Sequence, residues 1–313
     1  SILITNFKMT YINIPSIDNQ DLELNIITDK NLLNYKEEII ICESMFEYIN
    51  LMKKNINKHA NYWDIFKKIS NPYEYIHTQI PNAKNSICKH KPISRSFFKM
   101  IEIINAFNLL NEKNNISSLH LAEGPGGFIE AFNYIRTHEN DKYYGISLIS
   151  SDNNIPSWKK AQNLISNSNN KIIIDSGITK TGDLLNKDNL QYFYYKYKNS
   201  IDYITGDGGF DFSVDFNGQE ELSFSLIIVQ VFYALLTQKQ GGSFVLKIFD
   251  IYKIKTLDII YILSNFYQNI YIYKPNTSRI ANSEKYIICK NFKKISNKFI
   301  KKIFDNFEII IKN

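Results

Sequence analysis

The chain is short of the residues that punctuate or staple a fold: 3 cysteines, 7 prolines and 12 glycines in 313 residues. Cys42, Cys88 and Cys289 show no paired spacing, which argues against a disulfide framework and fits a reducing compartment. Cys88 and His90 stand close together, but without a second pair of ligands they make no zinc motif, and no metal is expected. No apolar run approaches ~18–20 residues and no signal-peptide pattern is present. These absences lead to the expectation of an intracellular, cytoplasmic protein without a membrane partner. With few breakers and 44% hydrophobic residues, the chain is neither low-complexity nor disordered. A net charge of +6 suits a polyanionic partner without identifying one. The abundance of isoleucine, asparagine, lysine, tyrosine and phenylalanine reflects an AT-rich coding bias more than a function.

Two regions differ in pattern. Residues 1–85 alternate polar loops with helical periodicity, as in "NYKEEIIICESMFEYINLMKKNI" and "ANYWDIFKKIS", and read as a helical N-terminal extension. Residues 86–313 alternate short apolar strands with helices: "SFFKMIEIINAFNLL", "SSLHLAE", "GGFIEAFNYIRTH", "YYGISLI", "NKIIIDSG", "IDYITGDGG", "ELSFSLIIVQVFYALLTQ" closed by Gly241-Gly242, "GSFVLKIF", "NIYIYKP", "EKYIICKN" and a basic terminal helix. That order predicts an α/β fold with a mostly parallel, doubly wound sheet and helices on both faces.

In such a sheet ligands bind beyond the carboxyl ends of the strands. The turn "AEGPGGF" (122–128) follows the first strand of the regular region and lies in that place. It lacks the third, spaced glycine of a dinucleotide loop, and no acid follows the second strand, so a nicotinamide cofactor is a poor match. Lys247 interrupts "SFVL" and "IF", an apolar strand of the kind buried on both faces. An ammonium there must face a cavity or be paired, because burying it alone is prohibitive.

These segments together resemble the FtsJ-like ribose 2′-O-methyltransferases. "AEGPGGF" is similar to the A-x-x-P-G-G-[FW] loop with which that family holds S-adenosylmethionine. "SRSFFKM", "DYITGDGG", "GGSFVLKIF" and "SRIANSEKYIIC" follow in the family's order. The resemblance covers roughly residues 90–292 and implies a Rossmann-like methyltransferase fold. It also implies a Lys-Asp-Lys-Glu tetrad of Lys99, Asp207, Lys247 and Glu284. Cofactor contacts would come from Glu123, Gly124, Pro125, Gly126, Gly127, Phe128, Ser147, Asp183, Leu184 and Asp207. Asp183 matches the position that meets the adenine amino group, with a helix N-cap as its bland alternative. A side chain at Gly126 is expected to fill the space where backbone approaches the ligand, or to need a backbone angle open only to glycine.

Methyl transfer to a ribose hydroxyl needs positioning and removal of one proton. Lys247 is expected to take that proton, with Lys99 as the neighbouring cation and the two carboxylates as orienters. The long segment before Lys99, the strand end "GISLIS" without an acid, and the continuation "GDGGFDFSVDFNGQEEL" favour the mRNA-cap branch over ribosomal or transfer RNA enzymes. They liken the chain to the cap enzymes of large cytoplasmic DNA viruses, acting in a viral factory or virion. The implied partner is RNA at a capped mRNA 5′ end, in the company of other capping or transcription subunits, and not DNA. A basic surface of Lys84, Lys89, Lys91, Arg95 and the segment from Lys274 through Ser278 to Arg279 is the expected RNA path. A non-catalytic RNA-binding subunit with the same fold is the alternative from another class.

Overall fold

The computed structural model describes residues 10–17, 40–80, 82–111, 114–152, 155–209 and 219–312. Its strands are β1 (Tyr11–Ile14), β2 (Ser117–Leu121), β3 (Lys142–Ile146), β4 (Ile172–Ile174), β5 (Ile201–Gly206), β6 (Gln238–Ile248), β7 (Tyr267–Tyr273) and β8 (Lys285–Phe292). They form one sheet in the order β1-β7-β8-β6-β5-β2-β3-β4. Neighbours from β4 through β6 pair in parallel, whereas β8, β7 and β1 pair antiparallel. The chain winds outward from β2 to β4 and then returns to β5, so the order reverses between β2 and β5. The carboxyl ends of those two strands therefore frame an open crevice.

The helices are α1 (Glu43–Lys54), α2 (Trp63–Ile69), α3 (Ser96–Ala106), α4 (Gly127–Ile135), α5 (Gln162–Ser166), α6 (Lys187–Tyr197), α7 (Gln219–Thr237), α8 (Ile254–Phe266) and α9 (Asn297–Lys312). Side chains from α6 to α9 pack one face of the sheet, with Phe244, Leu246 and Ile248 of β6 among them. Residues from α3 and α4 pack the other face, against Val245, Tyr286 and Ile288. The period of two along β6 thus turns Lys247 to the face of Val245, toward α3. On β2 the buried His120 lies 2.8 Å from Ser118 Oγ and 2.8 Å from Thr205 Oγ1 of β5. Burial pushes its imidazole down to about 3, so it is a neutral link between the two strands that flank the crevice.

Three sequence expectations need correction. The extension is not wholly helical: β1 pairs antiparallel with β7 and extends the sheet. The helix expected from residue 34 begins at Glu43, and residues 18–39 lie outside the described residues. α7 ends at Thr237, and Gly241-Gly242 belong to β6 rather than to a helix stop. α7 is also long and apolar enough to cross a membrane by length and composition. Here it is a core helix, buried without interruption from Ile227 to Thr237.

Candidate active site

The glycine turn begins where β2 ends. Gly126 has φ +114°, a backbone conformation open almost only to glycine, and α4 starts at the next residue. A Cβ at Gly126 would point at Ala161 Cβ (3.3 Å) and the Trp158 ring (3.6 Å), not into the crevice. The backbone angle, rather than space for a ligand, therefore selects glycine there. At Gly124 a Cβ would lie 2.6 Å from the Pro156 carbonyl oxygen and 2.9 Å from Ser147 Oγ, and at Gly127 it would overlap the Ser96 hydroxyl. Turn, β3 end and α3 start are thus in mutual contact.

Glu123 closes this turn from within. Its Oε1 accepts from the backbone N–H of Phe128 (2.7 Å) and of Ile129 (3.0 Å), two of the free donors in the first turn of α4. In a dinucleotide fold those donors hold a pyrophosphate; here an internal carboxylate occupies them. Burial pushes Glu123 up to about 8, with the Ile129 N–H opposing and the charge of Asp207 adding to the rise. With the α4 donors already taken by Glu123 and the Asp207 carboxylate close by, the crevice disfavours a polyphosphate and suits a ligand that carries amino groups and positive charge. These acceptors fit the α-ammonium and adenine amino group of S-adenosylmethionine, and their charge suits its sulfonium.

Between about pH 4.5 and about pH 8, folded Glu123 carries more proton than the unfolded chain, so its contribution to stability falls as pH rises through that window. Glu123→Gln keeps the acceptor oxygen and removes the titration. The variant is expected to gain stability relative to wild type as pH rises across that interval. Denaturant unfolding at several pH values checks this, and a constant difference between the two proteins would contradict it.

The second wall comes from residues 147–149 and 181–184. Ile149 N–H donates to the Thr181 carbonyl (2.8 Å), and a Cβ at Gly182 (φ +66°) would overlap the Ser147 carbonyl. Asp183 Oδ1 accepts from Leu185 N–H (2.9 Å), whereas the N-cap of α6 is Asn186. The helix-cap alternative for Asp183 therefore does not hold. Leu184 is buried in the core beneath.

Lys99, Asp207, Lys247 and Glu284 meet at the mouth of the crevice. Lys247 Nζ donates to the Asp207 carbonyl (2.7 Å) and pairs with its Oδ1 (3.3 Å). Lys99 Nζ lies 2.7 Å and 2.9 Å from the two oxygens of Glu284. The phenol of Tyr286 lies 3.0 Å from Asp207 Oδ1 and 3.4 Å from Glu284 Oε1, so it bridges the two ion pairs. The antiparallel register sets Tyr286 opposite Lys247, which brings the residues just before β8 to the carboxyl end of β6. Burial by itself would raise Glu284, but the charges of Lys99 and Lys247 outweigh it and hold the carboxyl at about 2. Burial and the adjacent carboxylates push the Tyr286 phenol up, so it remains a donor. The spacing "EKY" was the available signal for Tyr286, since residues two apart in a strand share a side.

The residues expected on the RNA path have internal partners. Arg95 and Arg279 both reach Glu74 (3.0 Å and 2.8 Å). Ser278 Oγ donates to Glu284 Oε1 (2.9 Å). Lys274 Nζ donates to the carbonyls of Asn282 and Glu284, and burial pushes its amine down to about 8. An RNA contact by these side chains has to share or replace those bonds. Lys84, Lys89 and Lys91 are exposed. The stretch 210–218, part of "GDGGFDFSVDFNGQEEL", lies outside the described residues.

Residues 92–292 match the model of the FtsJ-like methyltransferase family. Mouse cap-specific mRNA (nucleoside-2′-O-)-methyltransferase 2 is 27% identical over 278 residues, covering 83% of this chain and 34% of the mouse protein. The Caenorhabditis briggsae cap-specific mRNA (nucleoside-2′-O-)-methyltransferase 1A is 30% identical over 227 residues, 71% of this chain and 25% of that protein. The probable methyltransferase EP424R of African swine fever virus is 30% identical over 220 residues, 64% of this chain and 49% of the viral protein. The chain thus spans between a quarter and a half of the length of these relatives. Because the match takes in β2 to β8, the glycine turn and both lysine–carboxylate pairs, the chain belongs to the FtsJ-like methyltransferases, whose cofactor is S-adenosylmethionine.

Proposed function

We propose that the protein is an S-adenosylmethionine-dependent RNA ribose 2′-O-methyltransferase acting beside the mRNA 5′ cap. The observation that carries this reading is Lys247. It is a lysine on a buried strand, paired with Asp207 at the crevice where the glycine turn ends. The relatives named for cap-specific 2′-O-methylation support the choice of substrate.

When bound, S-adenosylmethionine supplies a methyl group already activated on a sulfonium. Glu123, Asp183 and the turn from Gly124 to Phe128 would hold that cofactor, with Ser147 in the facing wall and Leu184 in the core behind it. Lys247, beside Asp207, would receive the 2′-hydroxyl proton on its amine nitrogen. Asp207 orients Lys247, and Glu284 holds Lys99 so that its charge favours the developing alkoxide. Tyr286 keeps the two carboxylates at a fixed separation.

Methyl transfer from labelled cofactor to capped and uncapped short RNAs, followed by nucleoside analysis, tests this reading. A 2′-O-methylnucleoside next to the cap, formed preferentially on capped RNA, is the expected product. Equal transfer to uncapped RNA would move the assignment to another RNA class, and RNA binding without transfer would favour the non-catalytic alternative. Replacing Lys84, Lys89 and Lys91 together by alanine is expected to weaken RNA binding. It should also reduce the slope of log affinity against log salt by about 2, the value for three contacts to a single strand. An unchanged slope would place the RNA elsewhere.

A further inference from the structure

Among 37 lysine and arginine residues only Arg95, Arg136 and Arg279 are arginine. In a chain so biased to lysine, an arginine marks a place where a planar fork is required. Arg136 grips the buried Asp141 in two-point fashion (2.6 Å and 3.0 Å). The other two arginines converge on Glu74. Arg279 binds it through Nη2 to Oε1 (2.8 Å) and Nε to Oε2 (3.2 Å), and Arg95 Nη1 reaches Oε2 (3.0 Å).

Glu74 lies in the short 3₁₀ turn Pro72–Ile76, outside the family match, and is 1% exposed. Backbone bonds from Ile87 to Tyr75 (3.1 Å) and Cys88 to Ile76 (2.9 Å) tie that turn to the approach to α3. The carboxylate therefore joins the extension to two sites at once. Arg95 stands four residues before Lys99, one helical turn away, and also donates to the Thr277 carbonyl (3.0 Å). Arg279 follows Ser278, the residue whose hydroxyl fixes Glu284. Glu102 of α3 holds the same loop through the backbone N–H groups of Asn276 and Thr277 (2.7 Å and 2.9 Å).

We infer that Glu74 is a positioning residue: through Arg95 and Arg279 it clamps the 274–284 loop against α3 and so sets the Lys99–Glu284 pair. The extension thereby completes the catalytic end of a site whose cofactor end is built without it. Without the Glu74 carboxylate, the two guanidiniums face each other without the group that holds them together, and the loop loses one of its ties to α3. The inference rests on the transferase reading above.

The test is a double-mutant cycle on the full chain, with Glu74→Gln and Glu284→Gln singly and together. Single-turnover transfer to capped RNA and calorimetric affinity for S-adenosylmethionine are the readouts. Glu74→Gln is expected to keep cofactor affinity while transfer slows by about ten- to a hundredfold, the scale of a small misplacement of reacting groups. In the Glu284→Gln background the same change is expected to cost little more, because both act on one pair. Glu74→Asp, which keeps the charge, should recover part of the rate; if Glu74→Gln does not fold, Arg279→Gln, which opens the same clamp from its other side, takes its place in the cycle. An unchanged rate, or the same loss in both backgrounds as a general structural defect gives, would overturn the inference. A wild type that binds cofactor but methylates no RNA would sink the transferase reading and this inference with it. An active wild type with an indifferent Glu74 variant sinks the inference alone.

Discussion

Lys247→Arg is expected to lower the single-turnover rate of methyl transfer by about 10²–10⁴-fold while cofactor and RNA affinities change little. Arginine keeps the positive charge, so the attraction to Asp207, 3.3 Å from the native amine, partly survives. It does not lose its proton at working pH and so has no way to accept the one leaving the ribose. The confounding effect is size. Lys247 is nearly buried, and a Cβ placed on Gly209 would already lie 3.2 Å from its Nζ, so a guanidinium has little room. Lys247→Met, uncharged and of similar length, separates the two causes. If Lys247 is the base, both variants are slow at every pH, whereas the wild-type rate rises with pH. An arginine variant retaining more than about a tenth of the wild-type rate would remove Lys247 from the proton-transfer step.

The second large effect is expected at Gly126. At φ +114° a valine is strained by about 1–3 kcal/mol, which the turn relieves only by changing shape. The bound form of the turn then carries that cost, and affinity for S-adenosylmethionine is expected to fall by roughly ten- to a hundredfold. Gly241 provides the control. It too has a positive φ (+82°), but a Cβ there meets nothing within 4 Å and the residue sits at the far end of β6. Gly241→Val should lose a comparable amount of folding stability and keep cofactor affinity. Calorimetry on the two folded variants decides the matter. Normal affinity in Gly126→Val would mean that the turn does not hold the cofactor.

Much of the site was legible because its chemistry is unusual at the level of single residues. A lysine inside "SFVLKIF" is costly enough to demand a partner. A turn carrying Gly124, Gly126 and Gly127 after a short apolar strand demands a backbone that side chains would obstruct. Of the two reasons for glycine at 126, the backbone angle is the one the fold uses, since a Cβ there would face Trp158 and Ala161 rather than the crevice. The acid of "AEGPGGF" was readable as part of the glycine turn but not as the acceptor for the first turn of α4, because which donors a carboxylate meets depends on how the turn closes.

The sequence by itself determined the alternation of strands and helices, the positions where polar groups interrupt apolar strands, and hence the end of the sheet where chemistry is placed. These follow from local periodicity and from the cost of burying charge, and both act within a few residues. Only the tertiary structure decided which distant groups pair. β8 enters antiparallel beside β6, so Glu284 and Tyr286 arrive at Lys247 from about forty residues downstream. β1 joins the sheet edge from the opposite end of the chain. Glu74 meets Arg95 and Arg279 across 21 and 205 residues of sequence. A carboxylate in a polar, helical extension carries no local mark of its partner, because ion pairing is indifferent to separation along the chain and depends only on where the fold brings the charges.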